Sequence, residues 1–197
     1  MSAEVITGTA SFGKSRYMFI TMLVLALDQL SKYWVARVLG EGDDIQLIRG
    51  LLKLSYTENP GIAFGMLGSG DLKWALVAVS LVAIVVVIYY LARTPAANRL
   101  LLWSLALLAA GISGNLIDRI RMGRVIDFIE VYYRDFHWPV FNVADSAITI
   151  GAALMAIELF LAPQEKEVVE PINGERSIGP HSSLSFLCFL SFSEFPA

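Results

Sequence analysis

Apolar positions along the chain gather into four long blocks: Tyr17 to Leu39, Leu72 to Ala92, Leu100 to Ile117 and Trp138 to Ala162. Each approaches or exceeds the roughly 20 residues a helix needs to cross the hydrocarbon core. The pattern predicts an all-α membrane protein with four transmembrane helices, at about 17–39, 72–92, 100–117 and 138–162. The second block is apolar or aromatic from Trp74 to Leu91 but for Ser80, which suits a face turned to lipid. The first, third and fourth carry Asp28, Asn115, Asn142 and Asp145, and are expected to line a shared interior, because polar groups inside a membrane turn away from lipid.

The segments between the helices are unequal. Residues 40–71 form a loop long enough to need structure of its own, and Ile45 to Tyr56 followed by Asn59-Pro60-Gly61 reads as short strands ending in a turn. Residues 118–137 form a second long loop, in which Val125 to Tyr133 fits either a strand or an interfacial helix. An even number of helices puts both loops on one side and both termini on the other. Lys14, Arg16 and the short basic link from Arg93 to Arg99 place the termini in the cytoplasm, although Arg119, Arg121, Arg124 and Arg134 on the other side blur a simple count. Residues 1–13 are expected to be disordered, residues 14–163 to form the membrane domain, and residues 164–197 to be a polar cytoplasmic tail. Asp28 and Lys32 interrupt the first apolar run, and no good small-residue cleavage site follows its core, so that run reads as an uncleaved helix.

Composition narrows the function. At 197 residues and 56% hydrophobic, the chain is too apolar for a soluble domain of its size, and its formal charge of −3 provides no basic surface for a nucleic acid. Its single cysteine, Cys188, leaves no internal disulfide or Cys-rich metal cluster, and two isolated histidines, His137 and His181, offer no metal-hydrolase spacing. No metal or cofactor is therefore expected.

Chemistry concentrates in two blocks, Val125-Ile126-Asp127-Phe128 and Phe141-Asn142-Val143-Ala144-Asp145-Ser146, each setting one carboxylate among apolar residues. Two carboxylates brought close together cannot both ionise, so one holds a proton as acid while the other is the base. Such a pair can activate water against a peptide carbonyl and then protonate the leaving amine. The blander alternative has Asp127 paired with a nearby arginine and Asp145 capping the fourth helix. Asp28 and Lys32, four apart, suit an ion pair on one helix face. Gly111-Ile112-Ser113-Gly114-Asn115 combines small residues for close helix approach with an amide able to bond across the interface. Asp118 and Arg119 read either as a boundary ion pair or as contacts to a headgroup or peptide carbonyl. The same Gly-x-Ser-Gly string matches rhomboid-type serine proteases only weakly, without a placed histidine, and Ser31 and Lys32, adjacent on a helix, point apart. A non-enzymatic alternative is a small transporter or channel subunit in which Asp28, Asp118, Asp127 and Asp145 carry protons or a cation.

Five blocks together resemble the bacterial lipoprotein signal peptidase family, signal peptidase II. They are Asp28-Gln29-Leu30-Ser31-Lys32, Asn59-Pro60-Gly61-Ile62-Ala63-Phe64, Gly114-Asn115-Leu116-Ile117-Asp118-Arg119, and the two aspartate blocks, in order over residues 15–163. The resemblance implies four helices with cytoplasmic termini in the bacterial inner membrane, a small extracytoplasmic β-structure, and a second extracytoplasmic loop. It implies a monomeric aspartic endopeptidase, working among membrane lipids, that cleaves prolipoproteins before a diacylglyceryl-modified cysteine. Asp127 and Asp145 take the catalytic positions, and Asp28, Lys32, Asn59, Asn115, Asp118, Arg119 and Asn142 the substrate-binding or supporting ones. Ala110 stands where the family often has glycine, which touches local helix packing, and the tail beyond about Glu165 falls outside the resemblance.

Overall fold

The computed structural model describes residues 9–40, 42–61 and 69–161. Its elements in chain order are α1 (Thr9–Val38), β1 (Asp44–Ile48), β2 (Leu52–Asn59), α2 (Ser69–Arg93), α3 (Arg99–Met122), β3 (Val125–Tyr133), β4 (Phe136–His137) and α4 (Val143–Leu161). All four helices are long and apolar enough to cross a membrane. The expected disorder of residues 1–8 and the expected polar tail at 164–197 lie outside the described residues.

The helix α3 is the axis of the bundle. It packs against α1, α2 and α4, and 61% of its apolar window is buried, against 17% for α1. The other helices turn large apolar side chains outward, among them Met18, Phe19 and Met22 on α1 and Val79, Val82 and Val85 on α2, as lipid-facing surfaces do. Apart from its C-terminal end, where Lys14 Nζ donates to the carbonyls of Leu91 and Ala92 and Leu91 meets Tyr17, α2 leans on α3. Asp28, Lys32, Val35 and Leu39 are buried along one side of α1, spaced four, three and four residues apart as one helix face requires.

Small residues set the spacing between α3 and α4. A Cβ at Gly114 would come within 2.5 Å of Asp28 Oδ2 and 3.2 Å of Ala144 Cβ, and one at Gly111 would strike the Ala144 carbonyl. A Cβ at Gly151 would come within 3.0 Å of Leu108 and of the Ser104 carbonyl, and the Ser104 hydroxyl donates to the Gly151 carbonyl at 2.7 Å. Packing is thus enough to account for these glycines.

The sheet is antiparallel with order β1-β2-β3-β4, so both long loops contribute to it. The second loop supplies a strand rather than an interfacial helix. Ile45, Leu54, Phe128 and Ile129 pack with Val35, Leu39 and Val143, which seats the sheet on the end of α1 and the start of α4. A bulge in β2 between Leu54 and Thr57 lets Leu54 face Ile129 and Thr57 face Asp127. Inserting one residue there resets the two-residue alternation, so β2 turns apolar Leu54 and then Thr57 and Asn59 toward the same face as Asp127.

Three helix boundaries differ from the hydropathy reading by five residues or more, and α2 starts three residues early, at Ser69. The helix α1 begins at Thr9 instead of Tyr17, so residues 9–13, expected to be disordered, are helical. The helix α3 continues past Ile117 to Met122, because Asp118 turns inward onto Lys32 and the basic last turn suits a helix C-terminus. It stops at Gly123, whose φ of 76° is left-handed and whose N–H donates to the Arg119 carbonyl at 2.9 Å. The helix α4 begins at Val143 instead of Trp138: Pro139 disfavours helix at the residue before it, and residues 138–142 run extended along β3.

Substituting Gly114 with alanine is expected to destabilise the protein by about 1–3 kcal/mol, since neither the Asp28 carboxylate nor Ala144 has room to withdraw. Thermal unfolding in detergent checks it. An unchanged midpoint would mean that α3 is not in this close contact with α1 and α4.

Candidate active site

Lys32 is 2% exposed, and its ammonium is fully partnered. It reaches Asp28 Oδ2 at 2.9 Å, Asp118 Oδ2 at 2.9 Å and Asn115 Oδ1 at 3.0 Å. Each partner passes the connection on. Asp28 Oδ1 accepts from the Ala144 N–H at 2.9 Å, joining α1 to the first turn of α4, and Asp118 Oδ2 accepts from the Ile126 N–H at 3.4 Å, joining α3 to β3. Asn115 donates from Nδ2 to Asp145 Oδ1 at 2.7 Å. One buried cation thereby ties three helices and a strand together.

Asp127 and Asp145 converge on this cluster from different elements. Asp127, 2% exposed on β3, accepts from Asn59 Nδ2 at 2.9 Å on one oxygen and from Asn142 Nδ2 at 2.7 Å on the other. The orientation of each amide is fixed by what its oxygen accepts: the Gly61 N–H for Asn59, and the Asp145 N–H for Asn142. Asp145, half-buried in the first turn of α4, accepts from the Asn142 N–H at 3.2 Å, while Asn142 Oδ1 accepts from the Asp145 N–H at 2.8 Å. This reciprocal pair is a capping box that starts α4, with Asn and Asp in the places usually held by Ser or Thr and Glu. Asn142 therefore bridges the two carboxylates, and Asp145 caps its helix as well as facing the site.

Burial pushes the Asp127 carboxyl up to about 6, the nearby Asp145 charge adds to the rise, and the Asn59 and Asn142 hydrogen bonds and the Lys32 charge pull against it. Among the described residues no arginine is bonded to Asp127, and its hydrogen-bond partners are the neutral amides of Asn59 and Asn142. The ion-carrier alternative loses its basis here, because Asp28 and Asp118 are both held by Lys32 and by backbone N–H groups. Ser31 does not make a dyad with Lys32: its hydroxyl donates to the Asp28 carbonyl at 2.9 Å. His137 bonds Glu130.

Of the nine residues singled out from the sequence, Asp28, Lys32, Asn59, Asn115, Asp118, Asp127, Asn142 and Asp145 form one connected hydrogen-bonded set. Arg119 does not join it. It is half-buried within the fields of Asp145, Asp118 and Asp127, and among the described residues nothing hydrogen-bonds its guanidinium. Sequence reasoning gave no role to Gln29, whose Nε2 lies 3.1 Å from Asp28 Oδ2 and 3.2 Å from both the Gly114 carbonyl and Asp118 Oδ1. An uncharged polar residue next to Asp28 in an apolar span was the available signal. It likewise gave none to Glu58, which is bonded by Arg124 and Tyr56 at the end of β2.

Residues 20–161 match the family model for signal peptidase (SPase) II. The chain belongs to the signal peptidase II family. Among relatives of this family, the lipoprotein signal peptidase of Syntrophus aciditrophicus is 37% identical over 153 residues, 76% of this chain and 95% of that one. That of Geobacter metallireducens is 40% identical over 144 residues, covering 73% of this chain and 89% of the relative. Two solved structures described as bacterial membrane enzymes superpose with TM-scores of 0.70 and 0.68, each at 30% identity and covering 94% of the solved chain and 75% and 78% of this one. The signal peptidase II match thus takes in all four helices, the sheet and the cluster around Lys32.

Replacing Lys32 with methionine is expected to cost about 3–5 kcal/mol of stability, because it leaves Asp28 and Asp118 buried without their cation. Arg124→Ala, which breaks a largely exposed pair with Glu58, is expected to cost less than about 1 kcal/mol. Detergent thermal unfolding of the two variants side by side decides whether the buried pair dominates.

Proposed function

We propose that this protein is a lipoprotein signal peptidase, an aspartic endopeptidase that removes signal peptides from prolipoproteins by cutting before the diacylglyceryl-modified cysteine. The observation that carries the reading is the bridge of Asn142 between Asp127 and Asp145, which holds two carboxylates from separate elements at one site. Family membership supports it, since the relatives are named lipoprotein signal peptidases.

In the proposed mechanism Asp145 is the base. Among the described residues it accepts hydrogen bonds from Asn115 Nδ2 and from the Asn142 N–H, and it lies in the first turn of α4. Asp127, with its raised pKa, holds the proton. Asp145 takes a proton from a water as the water oxygen attacks the scissile carbonyl carbon, and Asp127 gives its proton to the carbonyl oxygen. The tetrahedral centre then collapses: the C–N bond breaks, the proton held by Asp145 goes to the departing nitrogen, and the hydroxyl proton returns to Asp127. The carboxyl product and the free amine of the lipid-bearing cysteine leave, and the pair is restored. Asn59 and Asn142 keep Asp127 in place, while Arg119, whose guanidinium has no hydrogen-bond partner among the described residues, is available to the substrate backbone.

The sheet and the aspartate pair face the extracytoplasmic side of the inner membrane in this proposal. Lys14, Arg16, Arg93 and Arg99 cluster at the opposite end, where α1 starts and α2 meets α3, and this supports cytoplasmic termini. A single chain supplies both carboxylates and their supports, so a monomer suffices. The lipid anchor itself contributes to recognition, since a chain buried among lipid and helices gains roughly 0.8 kcal/mol per CH₂.

Asp127→Asn and Asp145→Asn, each folded and membrane-inserted, are expected to lose at least about 10²-fold in turnover of a lipidated precursor peptide. Near wild-type turnover in either would remove the carboxylate pair from the mechanism. A matched peptide without the diacylglyceryl group is expected to show a much lower kcat/KM, and equal values would refute recognition of the lipid.

The same assignment fixes a pH dependence. With Asp127 required in its protonated form, kcat/KM declines as pH rises through a value near 6. The Asn59 hydrogen bond lowers the Asp127 pKa, so Asn59→Ala raises it further and is expected to move that alkaline limb to higher pH, whatever the loss in absolute rate. A limb that stays put or moves to lower pH would assign the proton elsewhere.

A further inference from the structure

The link between the two carboxylates is a hairpin whose return arm is paired to β3 in two short stretches, at residues 136–138 and at Phe141, with Pro139 between them. After β3 the chain turns at Arg134, in a left-handed conformation with φ of 54°, and comes back through β4, a strand of two residues. Beyond it Trp138 N–H donates to the Val131 carbonyl at 2.9 Å, Pro139 has no N–H to give, and Phe141 donates to the Ile129 carbonyl at 3.1 Å while its own carbonyl accepts from the Phe128 and Ile129 N–H groups at 3.0 and 2.8 Å. The next residue is Asn142. A slip of one residue in this arm would reverse which way each side chain points and withdraw the Asn142 amide from Asp127.

Side chains add a second hold on the stretch before Pro139, where the ladder is only two residues long. His137 stands opposite Tyr132, with ring centroids 5.6 Å apart and planes inclined by 13°, and its Nδ1 lies 2.8 Å from Glu130 Oε1. Glu130 is itself anchored to β2, accepting from Ser55 Oγ at 3.2 Å and meeting Lys53 Nζ at 3.3 Å, and Lys53 also bonds Asp44 of β1. The Glu130 carboxyl is held below its usual value by His137 and Lys53 and so is an acceptor, which makes His137 Nδ1 the donor. Asp44, Lys53, Glu130, Tyr132 and His137 gather on this face of the sheet, with Glu58 and its partner Arg124 farther along it, opposite the face that carries Asp127 and Leu54.

We propose that Glu130 and His137 are positioning residues for catalysis: their contact sets the register of the 136–142 arm and thereby holds the Asn142 amide on Asp127. The contact lies on the far face of the sheet from the reacting groups and touches no substrate. It acts through the hairpin, and it rests on the aspartate-pair reading given above.

The test is steady-state cleavage of a lipidated precursor peptide by the full-length protein in detergent, across a pH series, for wild type, His137→Ala, His137→Asn, Glu130→Ala, the double alanine variant, Asn142→Ala and Asp127→Asn. His137→Ala is expected to lower kcat on the order of 10-fold with little change in KM, since misplacement of a positioned group costs rate rather than binding. Its alkaline limb should move to higher pH, in the same direction as that of Asn142→Ala, because the Asn142 bond is one of those lowering the Asp127 pKa. His137→Asn, whose side-chain amide can donate from nearly the place of Nδ1, should recover most of the rate and the wild-type limb. The double alanine variant should lose no more than the worse single one, as expected for two ends of one contact. A folded His137→Ala with wild-type kcat overturns the proposal. So does a loss of rate with the limb unmoved, or one that Asn does not relieve, since either makes His137 merely structural. Failure of the underlying reading shows separately, as retained activity in Asp127→Asn.

Discussion

Burying the Lys32 ammonium inside a membrane domain is the constraint from which the rest of the site follows. An unpaired charge there costs many kilocalories, so the fold has to bring it oxygen ligands, and Asp28, Asp118 and Asn115 supply them. Two of those ligands are charged, and they in turn need donors beyond the lysine. Asp28 takes the Ala144 N–H and Asp118 the Ile126 N–H, so satisfying the lysine forces the start of α4 and the start of β3 into fixed positions beside α1 and α3. Those two starts are the places from which Asp145 and Asp127 project. The charge cluster is therefore a frame rather than a conduit, and the glycines of α3 are what let that frame close.

Amides do the work nearest the carboxylates, and the choice has an electrostatic consequence. An arginine bonded to Asp127 would hold it ionised, whereas Asn59 and Asn142 fix its geometry with only a modest preference for the anion, leaving burial and the Asp145 charge free to raise its pKa. The cations stay one step back. Lys32 is shielded from Asp145 by Asn115, which accepts from the lysine and donates to the aspartate, and so passes on orientation and an attenuated field.

How far the sequence could be read follows from which interactions are local. Four spans, the shared polar interior of α1, α3 and α4, and the Asp28–Lys32 pair all rest on hydropathy and on the four-residue spacing of a helix, and each was legible. The strand at Val125–Tyr133 was ambiguous because its pairing partner lies in a loop some seventy residues earlier in the chain. The ends of α3 and α4 were misplaced for a related reason: charged Asp118 reads as loop until Lys32 is known to face it, and apolar Trp138 to Phe141 reads as helix although it is bound to β3. Asp145 as a capping residue and Asp145 as a member of an acid–base pair appeared as competing readings. The structure shows the cap, and the acid–base role proposed for Asp145 would use the same carboxylate in the orientation that the cap gives it.

The site divides its parts between rigid and compliant elements in a way that matters for a substrate lying in the bilayer. Asp28, Lys32, Asn115 and Asp118 sit well inside helices whose backbone bonds are satisfied internally, so lipid cannot compete for them. Asn59, Asp127 and Asn142 sit on strand ends and on an extended arm, where backbone can adjust as a peptide enters. Asp145 lies at the joint, with its N–H bonds in the arm and its main chain in α4. A pair of carboxylates built wholly on helices would be fixed but closed to an extended peptide. Built wholly on loops, it would lack the precision to share a proton. Here one carboxylate is on a strand and the other at a helix start, with Asn142 bonded to both and the buried lysine fixing the two elements that carry them.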